Sequence, residues 1–122
     1  MLPINITELL EQNRIESNRI EYKQGWNPTA IYHTICAFAN DFENLGGGYI
    51  VVGVEEENGM AKRPVLGVPE EQLDKIQQQM VGFNNLFAPY YLPRVSVEEV
   101  DGKNVVVIWA PVGINRPYSI RM

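Results

Sequence analysis

The chain has 122 residues, 45% of them apolar and 20% charged, with a net charge of −5 and a single cysteine. This length suits one domain with one modest core, no apolar run reaches the ~20 residues of a membrane span, and MLPINITELLEQN lacks the pattern of a secretory signal. Cys36 alone excludes an internal disulfide framework and fits a reducing cytoplasm, while a pI of 4.8 argues against a generic polyanion-binding surface, so any nucleic-acid role must rest on a local cluster, an oligomer or further chain.

Asn5 is placed to cap a first helix that runs to about Asn13, with Glu8 at the reciprocal capping position and Ile4 and Leu9 as a hydrophobic staple. In NRIEYKQ (18–24), Ile20 and Tyr22 fall on one face and Arg19, Glu21 and Lys23 on the other, the pattern of a half-exposed strand. Asn27 and Pro28 supply a cap and a first-turn proline. Ile31, Ile35, Phe38 and Phe42 then recur at helical spacing and predict a second helix to about Asp41. YIVVGV (49–54) is apolar on both faces, as a central strand covered on both sides would be. EEENGMAKRP (55–64) reads as a charged loop or hairpin leading into a short extended piece, VLGV.

Pro69 opens a third helix, with Glu70 and Glu71 favoured in its first turn by the helix dipole and an apolar stripe of Leu73, Ile76, Met80 and Phe83 or Phe87. RVSVEEV and KNVVVIWA flank Asp101-Gly102, a pair suited to a tight type I′ turn. The order of elements predicts an α+β fold, a single mixed β-sheet with helices packed on it. The final RPYSIRM looks extended and lacks a closing turn, the expectation for a piece cut from a longer protein.

Gly46-Gly47-Gly48 invites comparison with a phosphate loop. Such a loop places glycines between a strand and the start of a helix, where backbone N–H groups point at the ligand. Here the order is helix, glycines, strand, and the neighbouring helix end presents carbonyls that repel phosphate. The glycines are expected to end the helix in a left-handed conformation and to begin the strand without side-chain crowding.

Glu16, Glu21, Glu55, Glu56 and Glu57 form the one carboxylate set to weigh. Metal-assisted hydrolysis of a phosphodiester needs several carboxylates converging on hard divalent cations. Glu16 and Glu21 fall on opposite faces of a continuous strand, so a turn near Ser17-Asn18 must bring them together; otherwise these are solvated acids at strand ends. Arg19 and Lys23 share a face with Glu21 and suit a phosphate backbone. Lys62 and Arg63, with Arg94, Arg116 and Arg121, could extend that patch or serve as ordinary surface charge. His33 has no matching ligand, Cys36 reads as a small core residue, and no nucleophilic triad is present. Trp26, Trp109 and Tyr90-Tyr91 suit either packing or stacking on bases.

In this order, ESNRIEYKQ (16–24), ICAFAND (35–41), GGGYIVVGVEE (46–56) and LGV (66–68) resemble the Alba-like DNA-binding domain family shared with Schlafen proteins. The resemblance covers about residues 14–112, with a longer connection at 41–45 and a lengthened acidic loop as departures. It implies an Alba/Schlafen-core-like domain over 1–122, at the N-terminal side of a bacterial transcriptional regulator with downstream domains. It implies DNA or RNA as partner, with Arg19, Lys23, Lys62 and Arg63 as contacts, and a possible homodimer. No cofactor is expected for that role. The alternative is a Schlafen-type ribonuclease in which Glu16, Glu21 and Glu55, or Glu56 in its place, are the catalytic acids and hold Mg²⁺ or Mn²⁺. A third reading is an assembly module whose sheet edge pairs with a second copy.

Overall fold

A computed structural model describes residues 5, 6, 10 and 20–122. Its elements are β1 (Ile20–Lys23), α1 (Pro28–Asn40), β2 (Gly48–Val52), β3 (Glu56–Glu57), β4 (Met60–Ala61), α2 (Glu70–Asn84), β5 (Phe87–Ala88), β6 (Arg94–Val100), β7 (Lys103–Ala110) and β8 (Ser119–Ile120). The main sheet has the order β1-β2-β7-β6, and β3–β4 and β5–β8 form separate two-stranded ribbons. β1 is parallel to β2, a pairing that needs a crossover, which α1 provides. The other two pairings are antiparallel. The fold is therefore α+β with a mixed sheet, as the patterning predicts.

The central strands β2 and β7 are rich in valine and isoleucine because both of their faces are covered. On one face Ile50, Val52, Val106 and Ile108 meet Ile31, Ile35 and Phe38 of α1 and Ile76 and Met80 of α2. On the other, Val51, Val105 and Val107 join Ile20 and Tyr22 of β1 in a second core that includes Ile6 and Leu10. Ile6 and Leu10 are helical and buried, in keeping with the expected first helix. Ile4, Glu8, Leu9 and Asn13, and the turn expected at Ser17-Asn18, lie outside the described residues.

Helix α1 starts where expected, with Pro28 in its first turn. Asn27 at the N-cap is extended and makes no side-chain capping bond; its carbonyl accepts the Ile31 N–H at 3.0 Å. The helix end corrects the glycine reading. Asp41, not a glycine, takes the left-handed conformation (φ 48°, ψ 50°), and its N–H donates to the Ala37 carbonyl. Phe42 consequently leaves the helical stripe and is 81% exposed. The lengthened connection is held by the Asp41 carboxylate, which accepts N–H bonds from Leu45 (2.8 Å) and Gly46 (3.0 Å). Gly47, at φ +82°, does open the strand without crowding: a Cβ there would lie 2.2 Å from the Ala110 carbonyl oxygen.

The charged segment forms the β3–β4 hairpin around Asn58-Gly59, and Asp101-Gly102 joins β6 to β7; all four turn residues have positive φ, as type I′ turns require. In α2 the apolar stripe buries Ile76 and Met80. Phe87 is buried from β5, outside the helix. The terminal segment, expected to be extended, gives Ser119 and Ile120 to β8, which pairs with β5.

Candidate nucleic-acid interface

The register fixes which charged residues share an end of the sheet. Lys23 lies opposite Val52, at the carboxyl ends of β1 and β2, and its carbonyl accepts the N–H groups of Gly53 (2.7 Å) and Val54 (3.1 Å). Gly53, at φ +102°, lets the chain leave β2 there, with the Gly67 backbone 3.0 Å from where its Cβ would be. Glu55 follows, and its carbonyl accepts the Lys62 N–H at 2.8 Å, so the exit of the β3–β4 hairpin reaches the same end. The β6–β7 turn arrives beside it, because Val106, three residues into β7, lies opposite Val52. The Val68 N–H bonds the Asn104 carbonyl at 2.7 Å, and Gly67 packs against the stem of Lys103.

Lys23, Lys62, Arg63 and Lys103 thus come from three separate segments to one end of the molecule. A shallow depression of about 270 Å³ lies there, lined by Leu66 to Pro69 with Lys103 and Asn104. The cations are not equivalent. Arg63 grips Asp101 with one edge of its guanidinium, Nε donating to Oδ2 at 3.1 Å and Nη2 to Oδ1 at 2.5 Å. Asp101 also accepts the Val65 N–H at 3.0 Å. The Arg63 guanidinium, helped by that N–H, holds the Asp101 carboxyl below its ordinary range. Lys23 pairs with Glu21 at 3.5 Å, both side chains about a third exposed, a contact worth about 0–1 kcal/mol and easily exchanged for another anion. Lys62 and Lys103 are exposed and make no salt bridge among the described residues, although Lys103 lies near enough to Asp101 to help hold its carboxyl ionised.

Arg94 and Arg116 do not extend this patch. Arg94 lies opposite Trp109, near the start of β2 and away from its carboxyl end, and its guanidinium sits 5.7 Å from the Trp109 ring centre. Arg116 reaches the Asn40 carbonyl at 3.4 Å. The Arg121 N–H bonds Leu86 beside the β5–β8 ribbon. Trp109 stacks on Tyr49, Tyr91 is buried, and Trp26 donates to Gln79, so packing accounts for three of the four aromatic candidates; Tyr90 is exposed. His33 is exposed, and Cys36 packs half-buried against the core, its thiol pKa raised by burial.

The carboxylates divide differently. Glu16, like Arg19, lies outside the described residues. Glu21 lies opposite Ile50, on the sheet face covered by α1, and its Oε2 accepts the Thr34 hydroxyl at 2.8 Å. Glu55 is half-buried beyond the end of β2, while Glu56 and Glu57 are exposed. The Glu56 carboxylate accepts the Gly59 N–H within the hairpin turn. Among the described residues, no three acids, histidines or cysteines are grouped as a divalent cation would require. Glu21 and Glu55 do not by themselves make a metal site, and no metal step is derived from them.

The remaining motif residues hold the fold. Asn40 is buried and clamps the terminal segment with both halves of its amide: its Nδ2 donates to the Tyr118 carbonyl at 3.0 Å, and its Oδ1 accepts the Tyr118 N–H at 2.6 Å. The Gly113 N–H adds a bond to the Ala39 carbonyl. Sequence reasoning missed this clamp and missed Lys103 as a site residue. The Asp-Gly turn beside Lys103 was visible, but the strand order that carries it to Lys23 was not.

The domain is a mixed sheet with a parallel β1–β2 crossover, a buried asparagine ending the crossover helix and a glycine-led central strand. The chain belongs to the Schlafen, AlbA_2 family, whose profile matches residues 16–121. Its fold is similar to that of the N-terminal domain of an ATP-dependent DNA helicase RecG-related protein from Nitrosomonas europaea, with a TM-score of 0.70 at 22% identity over 98% of this chain and 82% of that one. It is also similar to the DIP2311 protein from Corynebacterium diphtheriae, with a TM-score of 0.56 at 19% identity. That match covers 94% of this chain and 22% of the other. At such identities the likeness is one of fold. No curated protein matches the sequence. No helix among the described residues is long and apolar enough to cross a membrane.

Proposed function

We propose that this domain binds a nucleic-acid backbone at the end of its sheet that carries Lys23, Lys62 and Lys103, with Arg63 beside them. The observation that carries the reading is that cations from three distant segments lie at one end of the sheet in a chain whose net charge is −5. Random placement of ten basic residues among fifteen acidic ones gives no reason for Lys62 and Lys103 to stand at one end without a salt bridge among the described residues. Phosphates would displace Glu21 from Lys23 at small cost, and each contact would release a condensed counterion. The family assignment and the helicase-related name of the Nitrosomonas europaea protein support nucleic acid as the partner. The motif resemblance extends the proposal to DNA, within a bacterial transcriptional regulator that carries further domains.

The test is fluorescence anisotropy with labelled duplex DNA and single-stranded RNA across a salt series. Binding is expected to weaken with salt. The Lys23→Ala, Lys62→Ala and Lys103→Ala variants are each expected to lower the salt slope by about one. No binding to either nucleic acid at low salt removes the proposal.

One observation keeps the nuclease alternative in view: Thr34 fixes the Glu21 carboxylate beside Lys23. The same preparations should therefore be incubated with RNA and Mg²⁺ or Mn²⁺. Cleavage that Glu21→Ala abolishes would establish a nuclease; cleavage that survives this substitution would arise elsewhere.

A further inference from the structure

The depression at the basic end is built by backbone bonds. The Gly67 N–H donates to the Gly53 carbonyl at 2.8 Å, and the Val68 N–H to the Asn104 carbonyl at 2.7 Å. Segment 66–69 therefore runs beside β7 beyond the point where β2 ends, at Val52 opposite Val106. Val68 is buried in the core and anchors the segment, while Leu66 turns outward and is 48% exposed. Gly67, at φ +78°, leaves no side chain between the segment and β7; a Cβ there would lie 2.8 Å from the Lys103 Cβ. The resulting concavity of about 270 Å³ is lined by Leu66 to Pro69 with Lys103 and Asn104.

This lining suits a nucleobase better than a further phosphate. Segment 66–69 is apolar, and an exposed leucine offers nothing to an anion. The Asn104 side chain is half-buried and makes no hydrogen bond among the described residues. An amide that both donates and accepts matches a base edge, whereas a phosphate only accepts. Glu70 and Glu71 open α2 directly after Pro69, so a strand's phosphates are disfavoured there and favoured at Lys103. The volume falls below the range of about 300–1,000 Å³ for drug-sized ligands and fits a single ring system.

We propose that the depression takes one unstacked nucleobase from a single strand whose phosphate Lys103 holds. This assignment rests on the nucleic-acid reading above and adds the class of partner to it. Backbone contacts admit duplex and single strand alike. A base enters the depression only where it is unpaired, because a duplex must first unstack and flip the nucleotide out.

The test is fluorescence anisotropy on the 122-residue chain at low salt with labelled probes of equal length. They are an adenosine single strand, made as DNA and as RNA to separate the two sources of the base, an abasic single strand with the same number of phosphates, and a DNA duplex. The abasic strand is expected to bind about tenfold more weakly than the adenosine strand, with the same salt slope. Leu66→Ser and Asn104→Ala are expected to remove that difference while leaving abasic and duplex binding, the salt slope and the urea midpoint unchanged. Lys103→Ala, in contrast, lowers the salt slope for every probe. Equal binding of the abasic and adenosine strands overturns the base site alone and leaves the backbone reading standing. A difference that survives both variants, or duplex binding that they weaken equally, also overturns it. Failure of every probe to bind removes the backbone reading and the base site together.

Discussion

Replacing Asn40 is the sharpest test of how the family motif works. Its side chain is 7% exposed and satisfies both the N–H and the C=O of Tyr118, 78 residues away in sequence. Asn40→Leu keeps much of the volume and removes both bonds, leaving the buried Tyr118 N–H without a partner and its C=O with only the weak Cys36 thiol donor at 3.5 Å. An unpartnered buried group costs about 1–3 kcal/mol, so the expected loss is at least about 1–3 kcal/mol. Against a total stability of about 5–15 kcal/mol for a domain, that is a large fraction. Urea denaturation gives the loss, and native-state hydrogen exchange locates it. The Tyr118 amide should lose protection together with Gly113, whose N–H also bonds the end of α1. A loss below about 0.5 kcal/mol, the range of ordinary surface substitutions, with Tyr118 still protected, would refute the clamp.

Gly47→Ala should prevent folding or cost more than about 3 kcal/mol, because its Cβ would overlap the Ala110 carbonyl at a positive φ; circular dichroism during denaturation reads this. Gly82→Ala, within α2 where an added Cβ meets nothing within 4 Å, should instead stabilise by about 0.5–1 kcal/mol. Phe42→Ser should change stability by less than about 0.5 kcal/mol, since the side chain is exposed beyond the end of α1. Asp41 and Asp101 both have carboxyl pKa values held below the ordinary 3.8, Asp41 first by the Gly46 N–H and Asp101 first by Arg63. With the folded value below the unfolded one, their contribution is complete above pH 3.8 and is lost as pH falls through the lowered folded values. Asp101→Asn should flatten that acid limb in a pH series of melting temperatures.

What could be seen in the sequence was whatever local chemistry decides. Asp101-Gly102 fixed the β6–β7 hairpin to the residue because a type I′ turn admits few other pairs. Pro28 and Pro69 marked helix starts, and the all-apolar run 49–54 marked a strand covered on both faces. Phe42 misled because its spacing fits a helix that Asp41 ends one residue earlier; an aspartate in the left-handed conformation leaves no periodic signal. Residues 119–120 gave no strand pattern, as their partner, β5, is equally short. The site was less visible. Glu21 and Lys23 were placed correctly on one face, but that face is the one α1 covers, a property of the crossover. Lys103 joined the cluster only through the order β1-β2-β7-β6, which no local pattern encodes. Arg63 looked like Lys62 in sequence, yet its fork is occupied by Asp101.

The most direct test of the proposed interface is a map of amide chemical-shift changes on the 122-residue chain titrated with a short duplex DNA at low salt. The largest changes are expected at Lys23, Gly53 to Glu55, Lys62, Gly67 and Lys103, and they should fade as salt is added. Changes centred instead on Phe42, Arg116 and Ile114, or none at any residue, would contradict the account.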